Sequence, residues 1–191
     1  MAEHVILFTG PMGAGKTTAI RSLSDIDVVS TEANNSERHV VDKATTTVAL
    51  DYGEILIDGD EKVRLYGIPG QKRFEFMWSI LKKRAEGMVL LVNRDAPDPI
   101  GEMIFFLDEF RELYDRGGVV VGISRSDVAD GPTLADFADA LEKTNPGLVI
   151  PVFTVDPREH DQMQDVLLTL IVNIEMRAAF NVVAEAEAES A

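Results

Sequence analysis

The sequence predicts an α/β domain whose central sheet is mainly parallel. Short apolar runs alternate along the chain with longer segments in which apolar residues recur every three or four positions, which is the spacing of a helix with one buried face. Strands that alternate with helices in this way form parallel sheets covered by helices. The length of 191 residues and the hydrophobic share of 46% suit one domain with a sizeable core.

Six short apolar runs are predicted to be strands, and several of them are rich in valine and isoleucine. They cover residues 5–8, 48–57, 63–66, 88–92, 119–123 and 148–155. The second and third runs are joined across Asp58-Gly59-Asp60, and so short a connection joins antiparallel strands. We therefore expect a six-stranded, mainly parallel sheet with one antiparallel edge strand.

Five helices are predicted between these strands, on both faces of the sheet. One follows the glycine cluster after the first strand. The others begin near Phe74, Met103, Leu134 and Met163, where apolar residues show helical spacing. Thr133, with an aspartate three positions later, resembles a capping box at the start of the fourth helix. The domain is predicted to span residues 1–180, followed by an acidic tail over 181–191 that we expect to be disordered.

Charge and composition exclude several classes of function. The 33 acidic and 18 basic residues give a formal net charge of −15, which repels nucleic-acid backbones and anionic lipid head groups. The absence of cysteine excludes disulfides, zinc-thiolate sites and lipid attachment through sulfur. No apolar run approaches membrane-spanning length, and the N-terminus does not resemble a signal peptide. We expect a cytoplasmic protein with no nucleic-acid partner and no membrane anchor.

A phosphate-binding motif follows the first predicted strand. Residues 10–17 read Gly-Pro-Met-Gly-Ala-Gly-Lys-Thr, which matches G-x-x-x-x-G-K-[ST] between a strand and a helix. Glycines let successive N–H groups point at phosphate oxygens, and the helix N-terminus adds the positive end of its dipole. We predict that Lys16 reaches the β- and γ-phosphates and that the Thr17 hydroxyl binds Mg²⁺. A glycine-rich turn without a ligand is the alternative. The predicted phosphate site comprises Gly10, Met12, Gly13, Ala14, Gly15, Lys16, Thr17 and Thr18.

A second segment is typical of a nucleotide switch. The polar stretch from residue 25 to 43 ends in Thr45-Thr46-Thr47, just before the second predicted strand. A threonine on a mobile loop beside Mg²⁺ can sense the γ-phosphate, because hydrolysis removes its ligand. The alternative is a threonine-rich strand entry whose hydroxyls satisfy local backbone groups.

These segments resemble the Ras-like small GTPases, and most closely the bacterial branch that includes gliding-motility and conservon-type GTPases. The family pattern T-[IV]-x-[LV]-D-[FY] corresponds to residues 47–52, which selects Thr47 as the switch threonine. The family pattern D-x-x-G-Q corresponds to residues 67–71, where Gly70 and Gln71 match and Gly67 replaces the aspartate. The resemblance implies that the Gly70 N–H contacts the γ-phosphate and that Gln71 orients the attacking water.

The resemblance also implies a guanine site. The family motif N-K-x-D corresponds to residues 124–127, and Asp127 can accept hydrogen bonds from N1 and N2 of guanine, which adenine cannot supply. Arg125 has a planar cation able to cover the base. A turn carboxylate is the alternative for Asp127. The loop motif S-A-[KL] corresponds to residues 155–157, whose backbone could face the base. The predicted base site comprises Ser124, Arg125, Asp127, Val155 and Asp156.

Together these residues imply a GTP/GDP-dependent switch with the three-layer fold of Ras-like P-loop NTPases. Its ligand would be GTP or GDP and its cofactor Mg²⁺, with Lys16, Thr47 and Gln71 in catalysis and Thr17 and Thr47 at the metal. Because Gly67 removes the carboxylate that holds Mg²⁺ through water, we expect weaker metal binding. Without an arginine finger, turnover in this class is about 10⁻⁴ s⁻¹.

The resemblance implies a role in bacterial signalling or cell polarity, with a Roadblock-type activator or a sensor or polarity complex as protein partner. Two alternatives remain open. A non-hydrolysing interaction module would bind nucleotide without turnover, and a small P-loop kinase would share the phosphate-binding motif. The absence of cysteine argues against the kinases that carry a zinc ribbon.

Three large apolar side chains lie outside the core-facing stripes of their predicted helices. At about 100° per residue, Phe76 and Ile80 lie away from the stripe that begins at Phe74, and Phe105 lies outside the stripe that begins at Met103. In a Ras-like fold these two helices are neighbours. Phe76, Ile80 and Phe105, which we call the apolar patch, could therefore form one docking surface, unless a neighbouring element covers them.

Overall fold

A mixed sheet forms the middle of the structure, a computed structural model that describes residues 3–30, 50–57, 61–71, 74–116, 118–127 and 130–189. The strands are β1 (Glu3–Thr9), β2 (Val29–Ser30), β3 (Asp51–Ile57), β4 (Glu61–Gly67), β5 (Gly87–Asn93), β6 (Val119–Ser124) and β7 (Val152–Thr154). Their order across the sheet is β2-β3-β4-β1-β5-β6-β7. The predicted α/β class is confirmed.

Strands β4, β1, β5, β6 and β7 are parallel, whereas β3 is antiparallel to β4 and β2 is antiparallel to β3. In the β3–β4 pair, Asp51 lies opposite Gly67 and Ile57 lies opposite Glu61. The described residues therefore form seven strands, not the predicted six. The added strand β2 has only two residues, both exposed, and so leaves no apolar pattern to read in the sequence.

Six helices occur in the described residues, where five were predicted. They are α1 (Lys16–Leu23), α2 (Glu75–Leu81), α3 (Pro99–Glu109), α4 (Arg111–Asp115), α5 (Leu134–Thr144) and α6 (His160–Glu189). The extra helix arises because the predicted third helix is interrupted at Phe110, whose backbone leaves the helical region at φ −108° and ψ 30°. Its ring is fully buried, 5.6 Å from the Trp78 ring.

An apolar core lies on each face of the sheet, between the strands and the helices. On one face, α1 and α6 pack against the sheet, with Ile20, Leu23 and Leu167 among the fully buried side chains. On the other face, α2 to α5 contribute Trp78, Phe106 and other buried side chains. Strand β5 is buried along its whole length, as expected for the centre of a sheet covered on both faces.

The parallel strands end at one edge of the sheet, and the following loops gather there. These loops carry the predicted site residues. Strand β3 runs in the opposite direction, so its first residue, Asp51, lies at the same edge. This edge is therefore where the functional site is to be sought.

The predicted capping box is present, because the Thr133 side chain accepts from the Asp136 N–H and the Asp136 side chain accepts from the Thr133 N–H. Helix α6 continues to Glu189, so the backbone of 181–189 is helical in a segment whose composition suggested disorder. Alanine and glutamate both favour helix, which accounts for this continuation. The division into a domain over 1–180 and a tail stays a prediction. Within the described ranges, no helix is both long and apolar enough to cross a bilayer.

Two members of the apolar patch are exposed. Phe76 has 52% and Ile80 has 61% of its surface accessible. Phe105 is half-buried and packs edge-on against Phe106, at 5.3 Å between ring centres. Because Phe76 and Phe105 are not both buried, the docking surface stays a prediction.

Candidate functional site

The loop between β1 and α1 curls through three glycines with left-handed backbone: φ is 133° at Gly10, 79° at Gly13 and 96° at Gly15. Gly10 also lies against the main chain of β5, where a Cβ would come within 2.0 Å of the Leu91 oxygen. Side chains are excluded there by both conformation and space. The sequence therefore folds locally into a loop whose backbone can approach a ligand closely.

Lys16 lies inside this loop at the start of α1. Its ammonium donates to the carbonyl oxygens of Gly10 at 2.9 Å and Pro11 at 2.7 Å. Burial lowers the pKa of Lys16 from 10.5 to about 8, and the nearby charge of Asp51 partly offsets this. A partly desolvated cation in a glycine-rich loop suits a phosphate group, which would restore the interactions that the cation has lost.

Thr17 meets a carboxylate that we did not single out from the sequence. Its hydroxyl donates to Oδ2 of Asp51 at 2.5 Å, and the Ser30 hydroxyl donates to Oδ1 of the same carboxylate at 2.7 Å. Asp51 stood in the sequence only as one letter of the switch pattern. Its position beside the phosphate loop follows from the pairing of β3 with β4, which the motif does not encode.

The segment after β4 lies directly on the phosphate loop. A Cβ at Gly70 would come within 2.0 Å of the Gly10 oxygen, so only glycine fits this contact without a shift. The Gln71 amide donates to the Met12 sulfur at 3.2 Å. The Trp78 indole N–H donates to the Pro69 oxygen at 3.0 Å and so ties the segment after β4 to helix α2. The structure thus brings the predicted residues Gly70 and Gln71 to the loop that carries Lys16.

A cavity of about 420 Å³ opens beside the phosphate loop. Its lining includes the predicted residues Gly13, Ala14, Gly15, Thr18, Ser124, Arg125, Asp127, Val155 and Asp156. Sequence reasoning missed the lining residues Asn93, Asp95 and Arg158. Pro157, which also lines the cavity, belongs to the loop motif but not to the predicted base site. Segments that are more than a hundred residues apart in sequence therefore share one cavity, and its size suits a small-molecule ligand.

Arg125 connects the two sides of this cavity. Its backbone is left-handed at φ 59°, and its guanidinium donates to the Gly13 oxygen at 3.3 Å and to Asp95 at 2.9 Å. The Ser124 hydroxyl, at the position where the family motif has asparagine, donates to the Asn93 side chain at 3.0 Å. Asn93 is the last residue of β5 and Asp95 lies just beyond it. Polar residues directly after the apolar run of 88–92 are the signal that could have identified both.

Arg94 supports the loop that carries Asp127. Its guanidinium donates to the carbonyl oxygens of Ser126 at 3.0 Å, Gly131 at 2.9 Å and Pro132 at 3.0 Å. Three bonds from one rigid, always charged group hold Ser126, Gly131 and Pro132 in place. Asp127 itself is exposed at the cavity.

The loop after β7 presents an ion pair at the cavity. Arg158 binds Asp156 through two nitrogens, at 2.9 and 2.6 Å, and these bonds lower the pKa of Asp156 to about 2. The Val155 N–H donates to Ile123, and the Asp156 N–H donates to Gln162. Both N–H groups are thus bonded within the protein, and the predicted contact of this backbone with a base stays a prediction.

Thr47, the predicted switch threonine and metal ligand, lies outside the described residues. For Mg²⁺ itself, the donor chemistry beside the phosphate loop is suitable. The Thr17 hydroxyl and the Asp51 carboxylate place oxygen atoms side by side, and oxygen ligands are those that Mg²⁺ prefers.

The α/β architecture with its mixed sheet, six described helices and phosphate-type loop is compatible with the P-loop NTPase fold. No protein-family model matches the chain. The chain is 28% identical over 150 residues to an uncharacterised protein of Methanocaldococcus jannaschii, which covers 78% of this chain and 84% of that protein. It is 24% identical over 128 residues to Intraflagellar transport protein 22 of Chlamydomonas reinhardtii, which covers 64% of each chain. These similarities are distant, and the Ras-like assignment stays a prediction.

Proposed function

We propose that this protein is a Ras-like switch that binds GTP and GDP and hydrolyses GTP slowly. One observation carries the proposal: the phosphate-type loop and the segment that carries Asp127 line a single cavity of about 420 Å³. Lys16 supplies a partly buried cation at the phosphate end. At the base end, the exposed carboxylate of Asp127 can accept two hydrogen bonds from guanine. A guanine nucleotide fits this arrangement, because it carries phosphate at one end and guanine at the other.

In this proposal each residue has a distinct task. Lys16 neutralises phosphate charge, the Gly70 N–H contacts the γ-phosphate, and Gln71 positions the attacking water. Thr17 and Thr47 hold Mg²⁺, which when bound would neutralise charge on the phosphate oxygens. The Gln71 amide donates to the Met12 sulfur and therefore lies beside the phosphate loop, as its task of positioning water requires. Arg125 keeps the base end attached to the phosphate end.

The nucleotide that accompanies the purified protein tests the proposal. We expect denaturation of the purified protein to release GDP or GTP, which chromatography identifies. We also expect fluorescent GDP to bind more tightly than fluorescent ADP in titrations. Release of ADP or ATP, with transfer of phosphate to an acceptor, would instead favour the kinase.

The resemblance also leads us to propose a Roadblock-type activator, or a bacterial sensor or polarity complex, as partner. Stimulated GTP turnover on adding such a protein would support this.

Gln71→Leu is expected to slow GTP hydrolysis by at least about tenfold while leaving GDP affinity unchanged. Leucine keeps the size of the side chain but removes the amide that orients water. Single-turnover hydrolysis of GTP measures the effect, and Gln164→Leu on the exposed face of α6 is the matched control. If the variant hydrolyses GTP as fast as an active wild type, Gln71 has no role in the reaction. If the wild type shows no hydrolysis even with a partner, the protein is a non-hydrolysing module.

The lowered pKa of Lys16 predicts that nucleotide binding takes up a proton in alkaline solution. Below pH 8 the ammonium is charged both in the free protein and beside phosphate, so no proton is exchanged. Above pH 8 the free protein holds Lys16 neutral, whereas bound phosphate raises its pKa and favours the charged form. Affinity for GDP should therefore fall as pH rises from 8, by up to about tenfold per unit.

Calorimetric titration with GDP at about pH 9, in two buffers with different ionisation enthalpies, counts these protons. Lys16→Arg is the control, because arginine stays charged and binding should then take up no proton. An affinity that stays constant between about pH 7 and pH 9 would contradict the assignment of Lys16 to the phosphate.

A further inference from the structure

At the phosphate loop, the strand pair β3–β4 ends with an aspartate opposite a glycine. Gly67, the last residue of β4, has no side chain, whereas the resemblance to Ras-like GTPases implies an aspartate at this position. Asp51, the first residue of β3, lies directly opposite it in the antiparallel register. A Cβ built on Gly67 would come within 3.0 Å of both Cβ and Oδ2 of Asp51. The Asp51 side chain therefore lies next to the space that a side chain at residue 67 would fill.

The contacts of Asp51 place its carboxylate at the phosphate site. Oδ2 accepts the Thr17 hydroxyl, which is the group expected to bind Mg²⁺, and Oδ1 accepts the Ser30 hydroxyl. The carboxylate is also close enough to Lys16 to raise the pKa of that ammonium. Ser30 fixes the orientation of the carboxylate, as partners in the outer shell of metal sites do. Asp51 thus combines negative charge, an oriented oxygen and a hydroxyl neighbour in one place.

We propose that Asp51 supplies, from β3, the carboxylate that Gly67 does not, and that it holds Mg²⁺ together with Thr17 when nucleotide is bound. This inference rests on the proposed function. It also changes the expectation drawn from Gly67 alone, because the metal site keeps a carboxylate from the paired strand. The two positions are neighbours in space: a Cβ at residue 67 would lie 3.0 Å from Cβ and Oδ2 of Asp51, so the Asp51 side chain would have to shift to make room for it.

Release of fluorescent GDP over a range of free Mg²⁺ concentrations tests the proposal without relying on hydrolysis. In the wild type we expect Mg²⁺ to slow release and a chelator to abolish this effect. Asp51→Asn keeps the shape but removes the charge, and should need about 10- to 100-fold more Mg²⁺ for the same slowing. Release in the chelator should be unchanged. Glu54→Gln is the control, since Glu54 lies on the same strand but pairs with Lys62. Direct titration with Mn²⁺, followed by electron paramagnetic resonance, should show the same loss of metal affinity in Asp51→Asn.

A swap of the two residues provides the second variant. Asp51→Gly alone should lose the Mg²⁺ response, and Asp51→Gly with Gly67→Asp should regain most of it, because the carboxylate returns from the opposite strand. The swap also relieves the crowding between the two side chains, and the nearest atom to the new Cβ is then the flexible end of Ile20, at 2.8 Å.

Three outcomes would count against us in different ways. An Asp51→Asn variant with the wild-type response to Mg²⁺ and Mn²⁺ overturns the inference and leaves the proposed function standing. A swap that restores nothing overturns the claim that the two positions share one role. A wild type that binds GDP neither with Mg²⁺ nor in the chelator contradicts the proposed function itself, and with it this inference.

Discussion

Replacement of Lys16 by alanine is expected to weaken the binding of GDP and GTP severely while the fold stays intact. Among the described residues, the ammonium of Lys16 donates to the loop oxygens of Gly10 and Pro11, and Lys16 belongs to neither apolar core. A hydrogen bond to a charged group contributes about 1.5–3 kcal/mol, so affinity should fall by at least about tenfold. Titration with fluorescent GDP measures this loss.

The thermal midpoint of unfolding should not fall in Lys16→Ala, because alanine removes a group whose burial disfavours its charged form. Lys62→Ala is the control, since Lys62 pairs with Glu54 on the surface of the β3–β4 hairpin. Unchanged GDP affinity in a folded Lys16→Ala protein would remove the phosphate site from this loop.

Asp127→Asn is expected to exchange the base preference of the site. The carboxylate of aspartate can accept from both N1 and N2 of guanine, whereas the amide of asparagine offers one acceptor and one donor. Affinity for GDP should fall by about 10- to 100-fold. Affinity for the xanthine nucleotide should rise, because xanthine has a carbonyl oxygen where guanine has its amino group. Competition of both nucleotides against fluorescent GDP gives the two changes.

Asp130→Asn is the matched control for this exchange, because Asp130 is exposed on the same loop but does not line the cavity. If Asp127→Asn binds GDP as tightly as the wild type, Asp127 is a turn carboxylate and the preference for guanine has no support in this loop. If both variants lose affinity equally, the effect is one of net charge.

The glycine-rich loop after β1 and the α/β class could be predicted because both depend on signals that are local in sequence. Glycines at positions 10, 13 and 15 fix the backbone of the loop wherever the strand and helix stand. The apolar spacing from Met103 likewise predicts a buried helix face, although it does not show the interruption at Phe110. That interruption places one ring in the core and costs a single residue of helix, a detail smaller than the pattern can resolve.

Asp51 and Arg94 could not be predicted, for a different reason. The contacts of Asp51 depend on which residue of β4 stands opposite it, and a shift of the register would move its side chain to another neighbour. Arg94 acts on carbonyl oxygens more than thirty residues away, at Ser126, Gly131 and Pro132. Main-chain acceptors of this kind leave no mark in the choice of amino acid. Contacts between strands and between loops therefore require the folded chain.

The position of Trp78 gives the chain a built-in optical reporter. It is the one tryptophan of the sequence, and its indole ring lies buried between Phe106 and Phe110. Its N–H bonds to Pro69, one residue before the glycine that touches the phosphate loop. If the proposed nucleotide exchange displaces that segment, this bond would bend or break, and the wavelength and intensity of the indole emission would change. Indole emission would then report the state of the loop in real time, without an attached label.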